Sequence, residues 1–206
     1  MDKWLLSSLM IALAGAQAVH AAEEAAPAKD LLLDSSSMTI DRKTNLFHLR
    51  EPRITQGAMT IQADEALATG VDFNEHSEWR FTGHVRINVD SALLEADRAI
   101  FTFDADRLAR GELDGRPATL TDHNATHKEP VRGGANKLVY DYAAHTLRLS
   151  EHAWINKGQT EIQGCDLIYD FNDERVTSGS SDCGEAFRIR ILSQADEAPN
   201  RADSAP

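Results

Sequence analysis

Few residues of this chain have the types and spacing that chemistry needs. His123 and His127 are spaced like two metal ligands on one helix face, but they stand in the polar segment DHNATHKE, where no helix is expected. The sequence contains no Gly-x-Ser-x-Gly, His-Glu-x-x-His or Cys-x-x-Cys motif and no glycine-rich phosphate loop. We therefore expect no catalytic residue, no metal site and no cofactor, and we predict that the protein is not an enzyme.

The two cysteines are Cys165 and Cys183. In an exported chain a disulfide between them is favoured, and loop-closure entropy makes such a bond worth about 3 kcal/mol. Two unpaired thiols are the alternative. Both arrangements are structural, because no redox motif surrounds either cysteine.

Composition indicates one acidic globular domain. The 206 residues carry 33 acidic and 21 basic side chains, for a net charge of -12, and 42% of them are hydrophobic. That apolar fraction is too high for a disordered chain. No basic stripe is present that could face phosphates, so we expect no nucleic-acid partner.

The two ends of the chain differ from its middle. Residues 1–21 have a lysine, then a short apolar run, then the small-x-small site Val19-His20-Ala21, which is the layout of a secretory signal peptide. A retained membrane anchor is the alternative. Residues 22–30 are predicted to be a flexible segment and residues 193–206 a disordered tail. The folded domain is predicted to span residues 31–192.

The folded part repeats itself. Residues 33–41, 61–69, 94–102, 133–141 and 162–170 can be stacked with a loose period. One column of this alignment is always small: Ser35, Ala63, Ala96, Ala135 and Gly164. The next column is Ser36, Asp64, Asp97, Asn136 and Cys165. Apolar residues alternate on both sides of these columns but change phase between them, which predicts a bulge or sharp bend in each strand.

Other segments alternate as half-buried antiparallel strands do. Trp79, Phe81, Val85 and Ile87 fall on one face of such a strand, with polar residues between them. No segment sustains helical spacing with caps. The residues alone predict an all-β sandwich, jelly roll or barrel, with tight turns at positions such as Asp114-Gly115 and residues 172–173.

Five short segments carry a family resemblance: residues 81–88 (FTGHVRIN), 95–101 (EADRAIF), 115–120 (GRPATL), 138–143 (LVYDYA) and 149–156 (LSEHAWIN). In this order, after an export signal, they resemble the LptA (OstA-like) family of periplasmic lipopolysaccharide-transport bridge proteins. Two positions depart from the family pattern. Gly164-Cys165 stands where Gly-Asp is common, and Ser150-Glu151-His152 stands where a Thr-Gly-Asn step is common.

The resemblance implies a fold, a function and partners. The fold is a bent, V-shaped antiparallel β-jelly roll whose interior holds the acyl chains of lipopolysaccharide. The protein would bridge an LptC-like component of the inner-membrane export complex to the N-terminal domain of an LptD-like outer-membrane translocon, joining further copies head to tail across the periplasm. A soluble periplasmic β-barrel carrier or chaperone for another amphiphile is the alternative.

Two sets of candidate site residues follow. The interior would be lined by Phe81, Val85, Ile87, Leu94, Phe101, Leu149, Ile155, Ile162 and Tyr169, although the same pattern suits a closed core. The partner-binding edges would lie on the terminal strands, at Met38, Ile40, Phe187, Ile189 and Ile191. A polysaccharide-cleaving β-helix is disfavoured by the uneven repeat length.

Overall fold

The computed structural model describes residues 30–69, 77–104, 107–123, 129–179 and 186–191, with only the backbone of Arg107. The predicted signal peptide, most of the N-terminal segment, the C-terminal tail, His127 and Cys183 lie outside these ranges. Within them the chain forms strands and no helix, so none of these residues belongs to a helix that could cross a membrane. The strands are β1 (Leu31–Asp34), β2 (Ser37–Asp41), β3 (Leu46–Arg50), β4 (Arg53–Gln56), β5 (Met59–Gln62), β6 (Glu65–Thr69), β7 (Ser77–Val89), β8 (Ala92–Asp104), β9 (Arg107–Asp122), β10 (Val131–Asp141), β11 (Thr146–Lys157), β12 (Thr160–Asp170), β13 (Arg175–Ser178) and β14 (Arg188–Ile191).

Six long strands, β7 to β12, form a continuous antiparallel meander at the centre of one sheet. Each has the alternation that the sequence shows. In β7, Trp79, Phe81, Val85 and Ile87 are all buried, while Arg80 and Arg86 between them are exposed. One face of the sheet therefore points inward along its whole length, as the period-2 pattern predicts.

Every pairing of the long strands is interrupted near its middle. The register shifts fall between Thr82 and Val85 in β7 and at the corresponding places in the next strands, namely 95–98 in β8, 134–137 in β10 and 150–153 in β11. We call this line of interruptions the crease. It passes through the small-residue column of the sequence repeat, so the bulges predicted from the phase changes are confirmed.

The crease is built differently on alternate strands. The strands that belong to the sequence repeat cross the crease at the small residues Ala96, Ala135 and Gly164. Each of these is directly followed by the second-column residue of its repeat. The intervening strands β7 and β11 cross it with two consecutive residues at positive φ, Gly83-His84 and Glu151-His152. A residue in the left-handed region redirects the strand without closing a turn. In β11 the two positive φ values coincide with the point where buried and exposed side chains stop alternating, at residues 150–152.

The crease divides the sheet into two arms. Arm 1 contains β1, β4, β5 and β14 together with one half of each long strand, and arm 2 contains β2, β3, β6 and β13 with the other halves. For example, residues 86–88 of β7 pair with β5 in arm 1, and residues 78–82 pair with β6 in arm 2. The inner faces of the arms pack on each other and enclose the buried core.

The sheet is open, since the strands at its two ends do not pair with each other. The prediction of an all-β, bent antiparallel jelly roll of repeated strand units is confirmed. Residues 172–173 do form a turn, between β12 and β13. The prediction of a tight turn at Asp114-Gly115 is wrong. Both residues lie inside β9 at the crease, where the chain bends but continues in the same direction.

Candidate functional site

The nine predicted interior residues share the inner face of the sheet. Eight are at most 2% exposed and belong to one core cluster, and Ile162 packs against that cluster while partly exposed. Phe81 contacts Phe101 edge to face, with ring centroids 5.5 Å apart. The inward placement is therefore observed, and side chains fill the middle of the interior. Whether lipid binds there stays a prediction.

The interior opens near its C-terminal end. A cavity of about 260 Å³ lies beside Ile155, Ile162 and Tyr169, with Val131 and Val176 completing its apolar wall. Lys157 and Glu174 stand at its rim, and their side chains form an ion pair of 3.1 Å. Three of the nine predicted interior residues thus line space that another molecule could enter.

The two arms meet again at their ends farthest from the crease, and we call this side of the molecule the mouth. Polar side chains join the arms there. The Tyr169 hydroxyl, in arm 2, donates a hydrogen bond of 2.9 Å to Asp122 Oδ2, in arm 1. The hydroxyl of Ser91 donates to the other oxygen of Asp122 at 2.6 Å. Asp122 is buried, and burial of a carboxyl group is tolerated when both oxygens accept hydrogen bonds.

A second mouth contact runs through a histidine. His145, in the turn between β10 and β11, lies with Nε2 3.7 Å from Asp90 Oδ2 in the turn between β7 and β8. Its Nδ1 is 3.1 Å from the Tyr140 hydroxyl. The rings of Tyr140, His145 and Phe171 pack together around this contact. Because Asp90 belongs to arm 1 and His145 to arm 2, this contact also spans the mouth.

Two tyrosines at the mouth have perturbed ionisation. Burial is the main cause that raises the pKa of Tyr140, and the nearby Asp90 charge adds to it. Burial likewise raises the pKa of Tyr169, together with its hydrogen bond to Asp122. Both hydroxyls therefore keep their protons at any physiological pH and remain available as donors.

The predicted edge residues lie at the two open ends of the sheet. Met38 and Ile40 are on β2, whose outer edge carries no partner strand among the described residues. Ile189 and Ile191 are on β14, and Phe187 directly precedes it. These five side chains are 42–75% exposed although they continue the inward-facing rows. Each end of the interior is therefore lined by uncovered apolar side chains.

Each end has a second edge strand that the sequence analysis missed. β1 is the edge of arm 1 at the N-terminal end, and β13 is the edge of arm 2 at the C-terminal end. The crease interrupts the terminal strands completely, so each end presents two short edges. The signal was available in the first repeat, where Ser35-Ser36 aligns with the crease columns and separates β1 from β2.

Structural contacts anchor the C-terminal end. Arg148 donates to both carboxyl oxygens of buried Asp166, with Nε 2.7 Å from Oδ1, and this hydrogen bonding raises the pKa of Arg148. Cys165, the preceding residue, is buried and disulfide-bonded. The other cysteine of the chain, Cys183, lies outside the described residues, so the Cys165–Cys183 pairing stays a prediction.

The described residues contain no cluster of three or more potential metal ligands. His123 is exposed at the end of β9. Among the described residues, what the architecture offers is an apolar interior, open at both ends, between two arms of a bent antiparallel sheet. These features define a bent β-jelly-roll protein with an apolar interior.

Comparison with known proteins places the chain in a family. Residues 65–175 match the family model described as "LptA/(LptD N-terminal domain) LPS transport protein", and this is more than half of the chain. The chain belongs to this family of transport proteins. The family prediction made from the five sequence segments is thus confirmed.

Individual relatives agree with this assignment. The chain is 25% identical over 130 residues to the lipopolysaccharide export system protein LptA of Haemophilus influenzae, covering 62% of this chain and 75% of that protein. It is 22% identical over 126 residues to LptA of Escherichia coli K12, covering 60% and 68%. The crystal structure of LptH, the LptA-homologous periplasmic component of lipopolysaccharide transport in Pseudomonas aeruginosa, superposes with a TM-score of 0.50. That match covers 81% of this chain and 96% of LptH at 14% identity, and it supports the fold.

Proposed function

We propose that this protein carries lipopolysaccharide across the periplasm, between an LptC-like inner-membrane component and the N-terminal domain of an LptD-like translocon. Its family consists of transport proteins, and its named relatives belong to lipopolysaccharide export systems. The acyl chains lie between the two arms and the sugar stays outside. The single observation that carries the proposal is the apolar interior with uncovered side chains at both ends.

The chemistry of the cargo explains this architecture. Each methylene removed from water contributes about 0.8 kcal/mol, so a lipid with several acyl chains needs a long apolar surface throughout transfer. An open sheet can provide one without surrounding the cargo. The net charge of -12 does not favour a tight grip on phosphorylated sugars. Binding through the tails alone suits a carrier that must release its cargo.

The interior must also continue from one molecule to the next. β14 runs from the crease to the mouth, because it is antiparallel to the first half of β12. β1 runs from the mouth to the crease. When a second copy follows in the same orientation, its β1 lies antiparallel to β14 of the first. The same holds in arm 2 for β13 and β2, so both arms can continue as one antiparallel sheet.

The open sheet also bears on the alternative function. A monomeric β-barrel carrier removes its edges by closing, whereas the part of this chain that the structure describes keeps unpaired edge strands at both ends of its sheet. Family membership and the open sheet together favour the bridge.

Lipid binding is tested by mass spectrometry of material that co-purifies with the protein from a lipopolysaccharide-producing periplasm. The wild-type chain and an Ile168→Asp control should carry lipid A-bearing species, and Ile162→Asp should lose them. Both isoleucines are half-buried on β12, but Ile162 lines the cavity and Ile168, with the opposite phase to buried Tyr169, does not. A lipid-free wild-type protein, or equal lipid on both variants, would contradict an open acyl-binding interior.

Assembly is tested at the C-terminal edge. Ile189→Pro removes a backbone donor and stiffens β14, so it should block formation of head-to-tail complexes, whereas Ile189→Ala keeps the donor and should largely preserve them. Circular dichroism confirms that both variants fold. Unchanged association of Ile189→Pro would show that β14 is not the joining edge.

A further inference from the structure

The outer rows of the sheet carry opposite charges at their two ends. In arm 1 one row of paired residues runs without a slip across ten strands, from Asp34 on β1 through Arg86 on β7 and Gly134 on β10 to Arg188 on β14. The row thus begins at an aspartate on one free edge and ends at an arginine on the other.

Arm 2 repeats this arrangement. Its corresponding row runs from Asp41 on β2 through Glu78 on β7 and Asp141 on β10 to Arg175 on β13, again one residue per strand. Both arms therefore present an acidic residue at the N-terminal edge and a basic residue at the C-terminal edge. Asp34, Asp41, Arg175 and Arg188 all lie on strands at a free edge of the described sheet.

We propose that these charges set the polarity of assembly, so that the C-terminal end of one copy accepts the N-terminal end of another and rejects its own kind. The proposal rests on the head-to-tail function above. It assigns the recognition of a second copy to two cross-junction ion pairs, Arg188 with Asp34 in arm 1 and Arg175 with Asp41 in arm 2.

The register of the sheet selects these pairs. Phe187 is the next residue beyond the pairs of β14 with β12, and it packs on Gly164 at the crease, while Ser35 holds the equivalent crease position beside β1. Aligning the two creases places Arg188 opposite Asp34. The same alignment places Ile189 opposite Leu33, on the inner face, so apolar rows continue while charges pair outside.

Arm 2 gives the same result independently. Ser178 pairs with Leu167, and Arg175 with Asp170, which fixes the distance of each β13 residue from the crease. When β2 of the next copy is placed beside β13 with the two creases aligned, Val176 lies opposite Ile40 and Arg175 lies opposite Asp41. One alignment therefore matches apolar with apolar and acid with base in both arms.

Edge geometry alone would not exclude the wrong orders. Two C-terminal ends related by a twofold axis along the crease-to-mouth direction would place β13 of one copy antiparallel to β14 of the other. With the creases aligned, such a junction places Arg175 diagonally opposite Arg190, and neither this junction nor one between two N-terminal ends forms the Arg188–Asp34 and Arg175–Asp41 pairs. Like charges on adjoining strands oppose association, so charge distinguishes orders that strand direction permits.

The arm 1 pair is the stronger test. Arg175 already lies 3.3 Å from Asp173 and 3.7 Å from Asp170, and Asp41 accepts backbone N–H groups of its own turn, which lowers its pKa. Arg188 stands next to Gln163, a neutral partner, so a change of its charge acts mainly on the junction.

The experiment compares self-association of the purified wild-type chain with Arg188→Asp and Asp34→Arg by sedimentation velocity at low salt. Each single reversal should weaken association about tenfold, because a like charge replaces an attraction, and the loss should shrink at high ionic strength. An equimolar mixture of the two variants should recover association, since reversed ends meet reversed ends and natural ends meet natural ends. Arg132→Asp, an equal charge change on the exposed face of β10, should behave as wild type.

The outcomes separate the two levels of the proposal. Single reversals that associate like wild type, or a mixture no better than its components, would overturn the charge rule. Head-to-tail assembly would stand in that case if Ile189→Pro still abolished association. A wild-type chain that stays monomeric would overturn both. Thermal unfolding is measured to check that Asp34→Arg still folds, because its new positive charge lies opposite Arg53 in the same sheet.

Discussion

The mouth contact between Tyr169 and Asp122 gives a sharp prediction about what keeps the two arms together. Tyr169→Phe removes one hydroxyl without changing the ring or its packing on Phe171. Asp122 then loses the 2.9 Å bond from the opposite arm and keeps only the bond from Ser91. Because Asp122 is 2% exposed, water cannot readily replace the lost donor.

The magnitude follows from that burial. A hydrogen bond to a charged or buried polar group contributes about 1.5–3 kcal/mol, so we expect Tyr169→Phe to lower the free energy of unfolding by about 2 kcal/mol. For a chain of this length that corresponds to a fall in Tm of about 4–8 °C, measured by calorimetry. Tyr142→Phe changes an exposed tyrosine of the neighbouring turn and is the matched control, with a shift within about 1 °C.

The same tyrosine predicts a pH dependence with a defined sign. Burial raises the pKa of Tyr169, so the folded state favours the neutral hydroxyl. Tyrosines in the unfolded chain ionise from about pH 10, so the contribution is fully present below that pH and is lost above it. Tyr169→Phe should therefore flatten the alkaline fall in stability. Equal Tm values for wild type and Tyr169→Phe at pH 8, with the same alkaline slope, would refute the role given to this contact.

Two further predictions concern the packing that holds the sheet in shape. A Cβ added at Gly111 would lie 2.6 Å from the buried ring of Phe101, so Gly111→Ala should destabilise the fold by about 1–3 kcal/mol. The neighbouring control, Arg110→Ala, should cost less than about 1 kcal/mol. Similar urea midpoints for the two variants would contradict this close approach. Arg148→Met should lower the free energy of unfolding by about 2–3 kcal/mol, because it removes the side chain that donates to both carboxyl oxygens of the buried Asp166. Arg175→Met, which removes an exposed ion pair, should lower it by about 0–1 kcal/mol. Urea midpoints of the two variants measure the difference.

Much of the fold could be predicted because its signals are local. Alternation in β7 gave the inward residues directly, and phase changes beside the small-residue column located the crease. Asp114-Gly115 shows the limit of such reasoning. A polar residue followed by glycine suits a hairpin turn and suits equally a bend inside one strand, and only the pairing of β9 along both arms distinguishes them.

The site was harder to predict because it depends on contacts between the arms. Nothing near Asp122 in sequence points to Tyr169, 47 residues away, since the contact exists only once the arms fold together. The edge strands β1 and β13 were missed for a related reason. Strands of four residues are too short to show a clear alternation, and their place at an edge is a property of the whole sheet.

The open sheet and the crease together explain why this architecture suits the bridge that we propose. A closed barrel fixes its strand number, whereas a sheet whose strands all bend at one column can be extended by any strand that bends at the same column. A second copy of this chain meets that condition at both arms at once, because Ser35-Ser36 and Gly164-Cys165 occupy equivalent crease positions. Two four- or five-residue edges that must align together are more selective than one long edge, since a one-residue slip in either arm would turn apolar side chains outward. In the head-to-tail assembly that we propose, the crease that shapes the interior of one molecule therefore also sets the register in which the next one joins.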